Sequence, residues 1–199
     1  MFQRTLIALL ATAAPAWAAE ARVSASVQLA TYTSPNPVVP FTMPGFDPAL
    51  GTLTGVKIGV ELHETFEARA ENQAPSSAAL SWESVVGLRI AGVDSTLLIE
   101  ERFPDRVYGM RATGFDGALD FAGTSGFTVT LKSMLERPNA YAATSPAALA
   151  RFVGAGPRPF LLARSGRNLF SATSANTTAS LSHMIGARVT IVYEYTPTT

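Results

Sequence analysis

His63-Glu64, followed by Thr65-Phe66-Glu67, opens like the helix in which two histidines one turn apart share a zinc ion. Here Glu67 stands where the second histidine belongs. If the segment is a strand, residues four apart are separated by about 13 Å, too far for one metal. His183, between Ser182 and Met184, is the other histidine and the natural base for a serine nucleophile. The strained turn that would present such a serine is missing, because Gly123-Thr124-Ser125-Gly126-Phe127 lacks the closing glycine. His183 therefore reads as a half-exposed strand residue.

Paired carboxylates are the next candidates. Glu100-Glu101 are adjacent, and adjacent strand residues face opposite ways, so they cannot flank one glycosidic bond. Asp116-Gly117 and Asp120 read as turn residues. A calcium loop needs denser oxygen ligands than Asp116, Asp120 and nearby carbonyls supply. No cofactor is expected, and calcium at this loop is the one alternative. Gly154-Ala155-Gly156-Pro157 lacks the third glycine and the parallel strand-helix setting of a dinucleotide fingerprint. No catalytic, cofactor-binding or metal-ligating residue survives this screen.

The elements that would position such residues are strands. Val56, Ile58, Val60, Leu62, Phe66, Ala68 and Ala70 fall on even positions, and Lys57, Glu61, His63, Glu67, Arg69 and Glu71 on odd ones. That period of two places the apolar set on one face. Only Glu64 breaks the rule, which suggests a bulge or bend in an unusually long run. Val23, Ala25, Val27 and Leu29 alternate in the same way, as do Leu80, Trp82, Val86, Leu88 and Ile90, then Phe127, Val129 and Leu131, then Ala187, Val189, Ile191, Tyr193 and Tyr195. Ser34-Pro35-Asn36-Pro37 ends the first run. The Pro-rich segment from there to Pro48 reads as an ordered crossing loop, since each proline lacks a ladder donor. Ser145-Pro146 opens one short helix through Phe152, with Ser as cap and Pro in the first turn, and Gly154 and Gly156 stop it. The fold expected is all-β: an antiparallel β-sandwich, jelly-roll-like or Ig-like, with one short helix.

The chain has 199 residues, with Arg4 before an apolar run from Leu6 through Ala14 and then Pro15-Ala16-Trp17-Ala18. This is the pattern of a secretory signal peptide over residues 1–18, leaving one domain over residues 19–199. The apolar run is shorter than the roughly 20 residues that span a bilayer. Lys and Arg number 15, Asp and Glu 15; losing Arg4 leaves a net charge of about −1, which argues against nucleic acid held by bulk charge. Charged residues make up 15 % of the chain, below the usual value of about 25 %. Cysteine is absent, so stability must come from core burial.

Four blocks carry a family resemblance: FDPALGTLTGV (46–56), LDFAGTSG (119–126), LARFVGAG (149–156) and VTIVYEYTP (189–197). Together, in this order, they resemble the choice-of-anchor E domain family. The resemblance implies an exported bacterial protein, often with a C-terminal sorting tail, with no catalytic residues to carry over. This chain stops at Thr199, without an apolar helix or basic terminus, so release or non-covalent retention is the expectation. Within the blocks, Asp47-Pro48 should fix a turn with the Asp side chain accepting from nearby amides, and Gly51 should take a conformation closed to other residues.

The first functional expectation is a non-enzymatic, exported cell-surface or extracellular-matrix protein that works through its surface and through self-association, with the strand at Val23 to Leu29 adding to a neighbour's sheet. The second is a carbohydrate-binding module for extracellular polysaccharide, stacking sugars on aromatics drawn from Trp82, Phe115, Phe121, Phe127, Tyr193 and Tyr195. A secreted hydrolase is third.

Overall fold

The structure, a computed structural model, describes residues 21–32, 38–92, 94–103 and 105–198. The expected signal segment and the Ser34-Pro35-Asn36-Pro37 turn lie outside them. Period-two alternation becomes strand wherever it is sustained. Strand β1 is Ala21–Tyr32, β2 is Val38–Pro44, β3 is Gly51–Asn72 and β4 is Ala78–Gly92. Then come β5 (Leu97–Arg102), β6 (Arg106–Ala112), β7 (Gly126–Ala143), β8 (Pro157–Ala172) and β9 (Thr177–Pro197).

All pairings between named strands are antiparallel, in two sheets. One has the order β1-β9-β3-β7; the other has β2-β8-β4-β5, with β6 also on β4. Strand β5 pairs with Gly87 to Ala91 of β4, and β6 with Ala78 to Ser84. They act as one strand broken where Phe103 turns inward, its amide bonded to Val86 O at 3.0 Å. With β5 and β6 counted as one strand, the sheet orders are those of a jelly roll, the chain changing sheets at every connection except the one from β4 to β5; this is the first of the two expected sandwich types. The apolar faces meet between the sheets: the even-numbered side chains of β3 and β4 named above are buried, and so are Ala187, Val189, Ile191, Tyr193 and Tyr195 of β9. Tyr193 also ties the sheets together, its hydroxyl donating to Pro44 O at 2.8 Å.

The turn residues behave as the sequence requires. Asp47 accepts from Ala49 N at 2.9 Å and opens a 3-10 turn, Pro48–Leu50. Gly51 follows at φ +148°, and a Cβ there would lie 2.0 Å from Thr196 O, so both backbone conformation and space require glycine.

Three local expectations need correction. The segment after Pro37 is not only a crossing loop, because Val38–Pro44 forms β2. It lies at a sheet edge, bonded to β8 alone, and an edge strand tolerates Pro40 and Pro44 because one side of its backbone needs no partner. Glu64 does not mark a bulge: pairing to β7 runs unbroken from Val60 to Glu71, and the irregularities fall at Ile58/Val60 against β7 and Leu53/Gly55 against β9. The helix after Ser145 is a single turn, Pro146–Leu149, with proline at its start as expected, but Ser145 makes no side-chain cap bond.

Candidate functional site

Seven polar side chains on inward positions form a layer across the middle of the sandwich. From the first sheet come Glu64 on β3, Ser133 on β7 and His183 on β9; from the second come Ser84 on β4, Arg106 on β6, and Arg164 and Asn168 on β8. Strand register brings them together. Glu64 stands opposite Ser133, Phe66 opposite His183, and Ser84 opposite both Arg106 and Asn168. The layer divides the apolar interior. On one side lies the large cluster that includes Leu62, Val86, Ile90 and Ile191; on the other lie Phe66, Ala68 and Trp82, then Ala70, Ala78, Leu80 and Ala112.

Glu64 is the hub. Its Oε1 accepts from His183 Nε2 at 2.8 Å, and its Oε2 accepts from Ser133 Oγ at 2.7 Å and pairs with Arg106 Nη2 at 2.9 Å. Arg106 Nη2 also donates to Ser133 Oγ at 2.8 Å. On the far side of the imidazole, Arg164 Nη2 lies 2.9 Å from His183 Nδ1, with Asn168 Nδ2 at 3.5 Å. Arginine and the amide nitrogen can only donate, so Nδ1 is an acceptor, and the ring is neutral with its proton on Nε2, directed at Glu64. Phe66 packs edge-on against the imidazole, ring centroids 5.4 Å apart.

The electrostatics follow from burial and pairing. Burial alone would push the Glu64 carboxyl up. Hydrogen bonds from His183 and Ser133, with the Arg106 charge, outweigh it and hold the carboxyl below its ordinary value of 4.5. Burial lowers the Arg164 pKa, opposed by the charge of Glu64. The layer stays ionised because it is internally paired.

The arrangement is wrong for hydrolysis. The serine hydroxyl bonds to the carboxylate, not to the histidine, so the base cannot take its proton. The Glu64 and His183 side chains are only 1 % and 3 % exposed. Surface clefts open elsewhere, one of about 550 Å³ beside Leu80 and Met110, and one of about 230 Å³ beside Arg151 and Phe160. Neither is lined by Glu64 or His183.

The expected half-exposed placement of His183 is thus overturned, since the residue is buried. Its odd position in β9 is the inward one, shared with Ile185 and Ala187. His63 lies on the outer face, bonded to Glu61 at 2.6 Å, while Glu64 points inward, so the two do not share a site. Glu100 pairs with Arg89 at 2.7 Å and Glu101 with Arg137 at 3.4 Å, on opposite sides of β5. Asp116 and Asp120 each accept from the amide two residues on, Ala118 at 3.0 Å and Ala122 at 2.9 Å, as turn residues do. Among the described residues, no group of three or more His, Asp or Glu is placed to hold a metal. Of the aromatics considered for sugar stacking, Trp82, Tyr193 and Tyr195 are buried; Phe121 lies against the Arg69 guanidinium at 4.8 Å.

No family model matches the chain, and no curated protein matches it. Among solved structures, it is similar to a chain of the infectious bursal disease virus Gx strain, at 12 % identity and TM-score 0.28, over 88 % of this chain and 38 % of that one. A turnip yellow mosaic virus chain matches at 8 % identity and TM-score 0.23, over 91 % and 97 %. An Arthrobacter globiformis T6 isomalto-dextranase matches at 10 % and 0.15, over 88 % and 17 %. The chain spans well under half the length of the first of these.

Proposed function

We propose that this chain is an exported, non-enzymatic jelly-roll protein of the cell surface or extracellular matrix, of the choice-of-anchor E kind, and that it assembles by strand addition through β1. The observation that supports this reading is the place of β1. Among the described residues it is the first strand and lies at the edge of its sheet, and its ladder runs along β9 from Ala21↔Tyr195 to Leu29↔Ala187. The link to β2 is only residues 33–37, with Pro35 and Pro37. If β1 leaves its own β9 and enters that of a neighbour, every backbone bond of the pair is reproduced in trans. Repetition gives an open, head-to-tail assembly.

The two edges of this sheet differ in a way that favours β1. Strand β7, at the other edge, carries Lys132, Glu136, Arg137 and Pro138, which discourage pairing with another chain. Strand β1, ARVSASVQLATY, carries one charge and no proline. Chemistry at a surface nucleophile has no such support, because the ionisable cluster of the interior is consumed by its own pairing.

The reading is tested with the chain starting at residue 19 and a truncation starting at residue 32, compared by light scattering over a concentration series. The longer chain should grow in mass with concentration. The truncated chain should stay monomeric and folded, and should bind a synthetic peptide of residues 21–32. A truncated chain that assembles as well as its parent, or a parent that stays monomeric throughout, would overturn the proposal.

A further inference from the structure

The inward arginines of the sandwich are not matched alike. Arg106 pairs with Glu64, and Arg164 feels the charge of the same carboxylate. Arg158, near the start of β8 and opposite Met43 of β2, shares the inward parity of the buried Phe160 and Leu162. It is half-buried. Among the described residues its hydrogen-bond partner is the Val153 carbonyl, no carboxylate lies within ion-pair distance, and its Nε is buried without a partner. The backbone makes room for this guanidinium: a Cβ on Gly45 would lie 3.0 Å from Nε, and one on Gly154, at φ +135°, would collide with Nη2. Phe46 N to Phe152 O at 2.8 Å and Gly154 N to Phe46 O at 2.7 Å fix the loop beside it. A cation partly withdrawn from water without an anion is unfavourable.

Arg158 lines the cleft of about 230 Å³ that opens between the β4–β5 turn and the start of β8. A second guanidinium, the exposed Arg151, lines it too. Leu98 and Pro159, with the buried Phe152 and Phe160 behind them, make the rest of the wall largely apolar. The one carboxylate there is Asp94, which accepts from Thr96 N at 3.0 Å and from Thr96 Oγ1 at 2.9 Å. Those bonds hold its carboxyl below the ordinary 3.8, so it is charged at neutral pH. Two cations against one anion leave the cleft positive.

We infer that this cleft binds a carboxylate-bearing sugar residue, a uronic acid unit. Guanidinium groups take carboxylates in charge-assisted and often bidentate hydrogen bonds, which supplies the anion that Arg158 lacks. The apolar wall suits the C–H face of a pyranose ring, and the remaining lone pairs of Asp94 accept ring hydroxyls. A bare phosphate fits less well, because it gains nothing from the wall and its second charge is repelled by Asp94. The volume lies below the roughly 300 Å³ at which drug-sized sites begin, which is room for one sugar unit. The inference is independent of assembly through β1, since no residue of β1 lines the cleft.

The test is calorimetric titration of the chain starting at residue 19 with galacturonate, glucuronate and trigalacturonate. Galactose, which lacks the carboxylate, and inorganic phosphate, which lacks the ring, are the controls. At least one acid sugar should bind about tenfold or more tightly than either control. Arg151→Gln, at an exposed side chain, should keep the thermal midpoint and weaken that binding about tenfold. Arg89→Gln, a surface arginine paired with Glu100, should leave it unchanged. Within a supporting result, equal affinity for monomer and trimer identifies a single sugar acid as the ligand, and a preference for the trimer identifies an acidic polysaccharide. No binding of any acid sugar, equal binding of galactose or phosphate, or an equal effect of Arg151→Gln and Arg89→Gln would overturn the inference.

Discussion

His183 Nε2 donates to Glu64 Oε1 at 2.8 Å, joining β9 to β3 across 119 residues of sequence. The bond sits between two sheets that are otherwise apolar where they face each other, and Arg106 and Arg164 approach it from the second sheet. Jelly-roll topology makes the meeting possible, because β3 and β9 are neighbours within one sheet while β6 and β8 both pack on the other. An ion-paired layer of this kind is weak evidence for added stability, since desolvation offsets much of the Coulomb gain, but breaking it from one side leaves a buried charge. It also penalises any slip in strand register, because a shift of one residue would send Glu64 to the outer face and Thr65 into the interior.

Glu64→Gln should destabilise the fold by about 3–5 kcal/mol, because it removes the buried negative partner of the half-buried Arg106 and of the buried His183. Glu61→Gln, on the outer face with His63 and Arg188, should change stability by less than about 1 kcal/mol. Urea denaturation of both variants checks the contrast.

Stability should fall in acid through this residue. The folded-state pKa of Glu64 lies below its ordinary 4.5, so its contribution is fully present above that value and is lost as pH falls through the folded value. Midpoints in urea at pH 7, 5, 4 and 3 should drop most steeply below about pH 4.5, with a shallower drop in Glu64→Gln. Equal slopes for the two proteins would mean that other carboxylates dominate.

Much of the fold was legible in side-chain parity. The runs on β3, β4 and β9 named their own buried faces, because a strand buried on one side imposes a period of two. The same rule carried a signal of the polar layer that was read as a defect. Glu64 stands in an even-numbered apolar series, and the natural inference was a bulge; the strand instead continues and the carboxylate goes inward. Strand β8 went unrecognised for the same reason, since Arg164 and Asn168 occupy inward positions and erase the alternation. Parity alone could not say that these breaks on β3 and β8 face one another, because that requires the order of strands in two sheets. Likewise, Pro40 and Pro44 excluded a central strand, and only topology made β2 an edge.

Gly51→Ala should lower stability by more than about 1 kcal/mol, because it places a Cβ at φ +148° and against Thr196 O. Gly117→Ala shares the positive φ, at +100°, but has open space around its Cβ. It should be the milder change, and thermal midpoints of the two variants rank the effect of the close backbone contact.

In the proposed assembly, β1 of one molecule completes the sheet of another. The absence of cysteine allows a clean trap. Ser26 pairs with Thr190 in the β1–β9 ladder, so a chain carrying only Ser26→Cys and a second carrying only Thr190→Cys are unfolded together, refolded and oxidised. Strand exchange predicts a disulfide-linked heterodimer as the main product on a non-reducing gel, suppressed by excess peptide of residues 21–32. Two monomers that each keep a free thiol, with no heterodimer beyond the level of a control pair placed on β5, would contradict it.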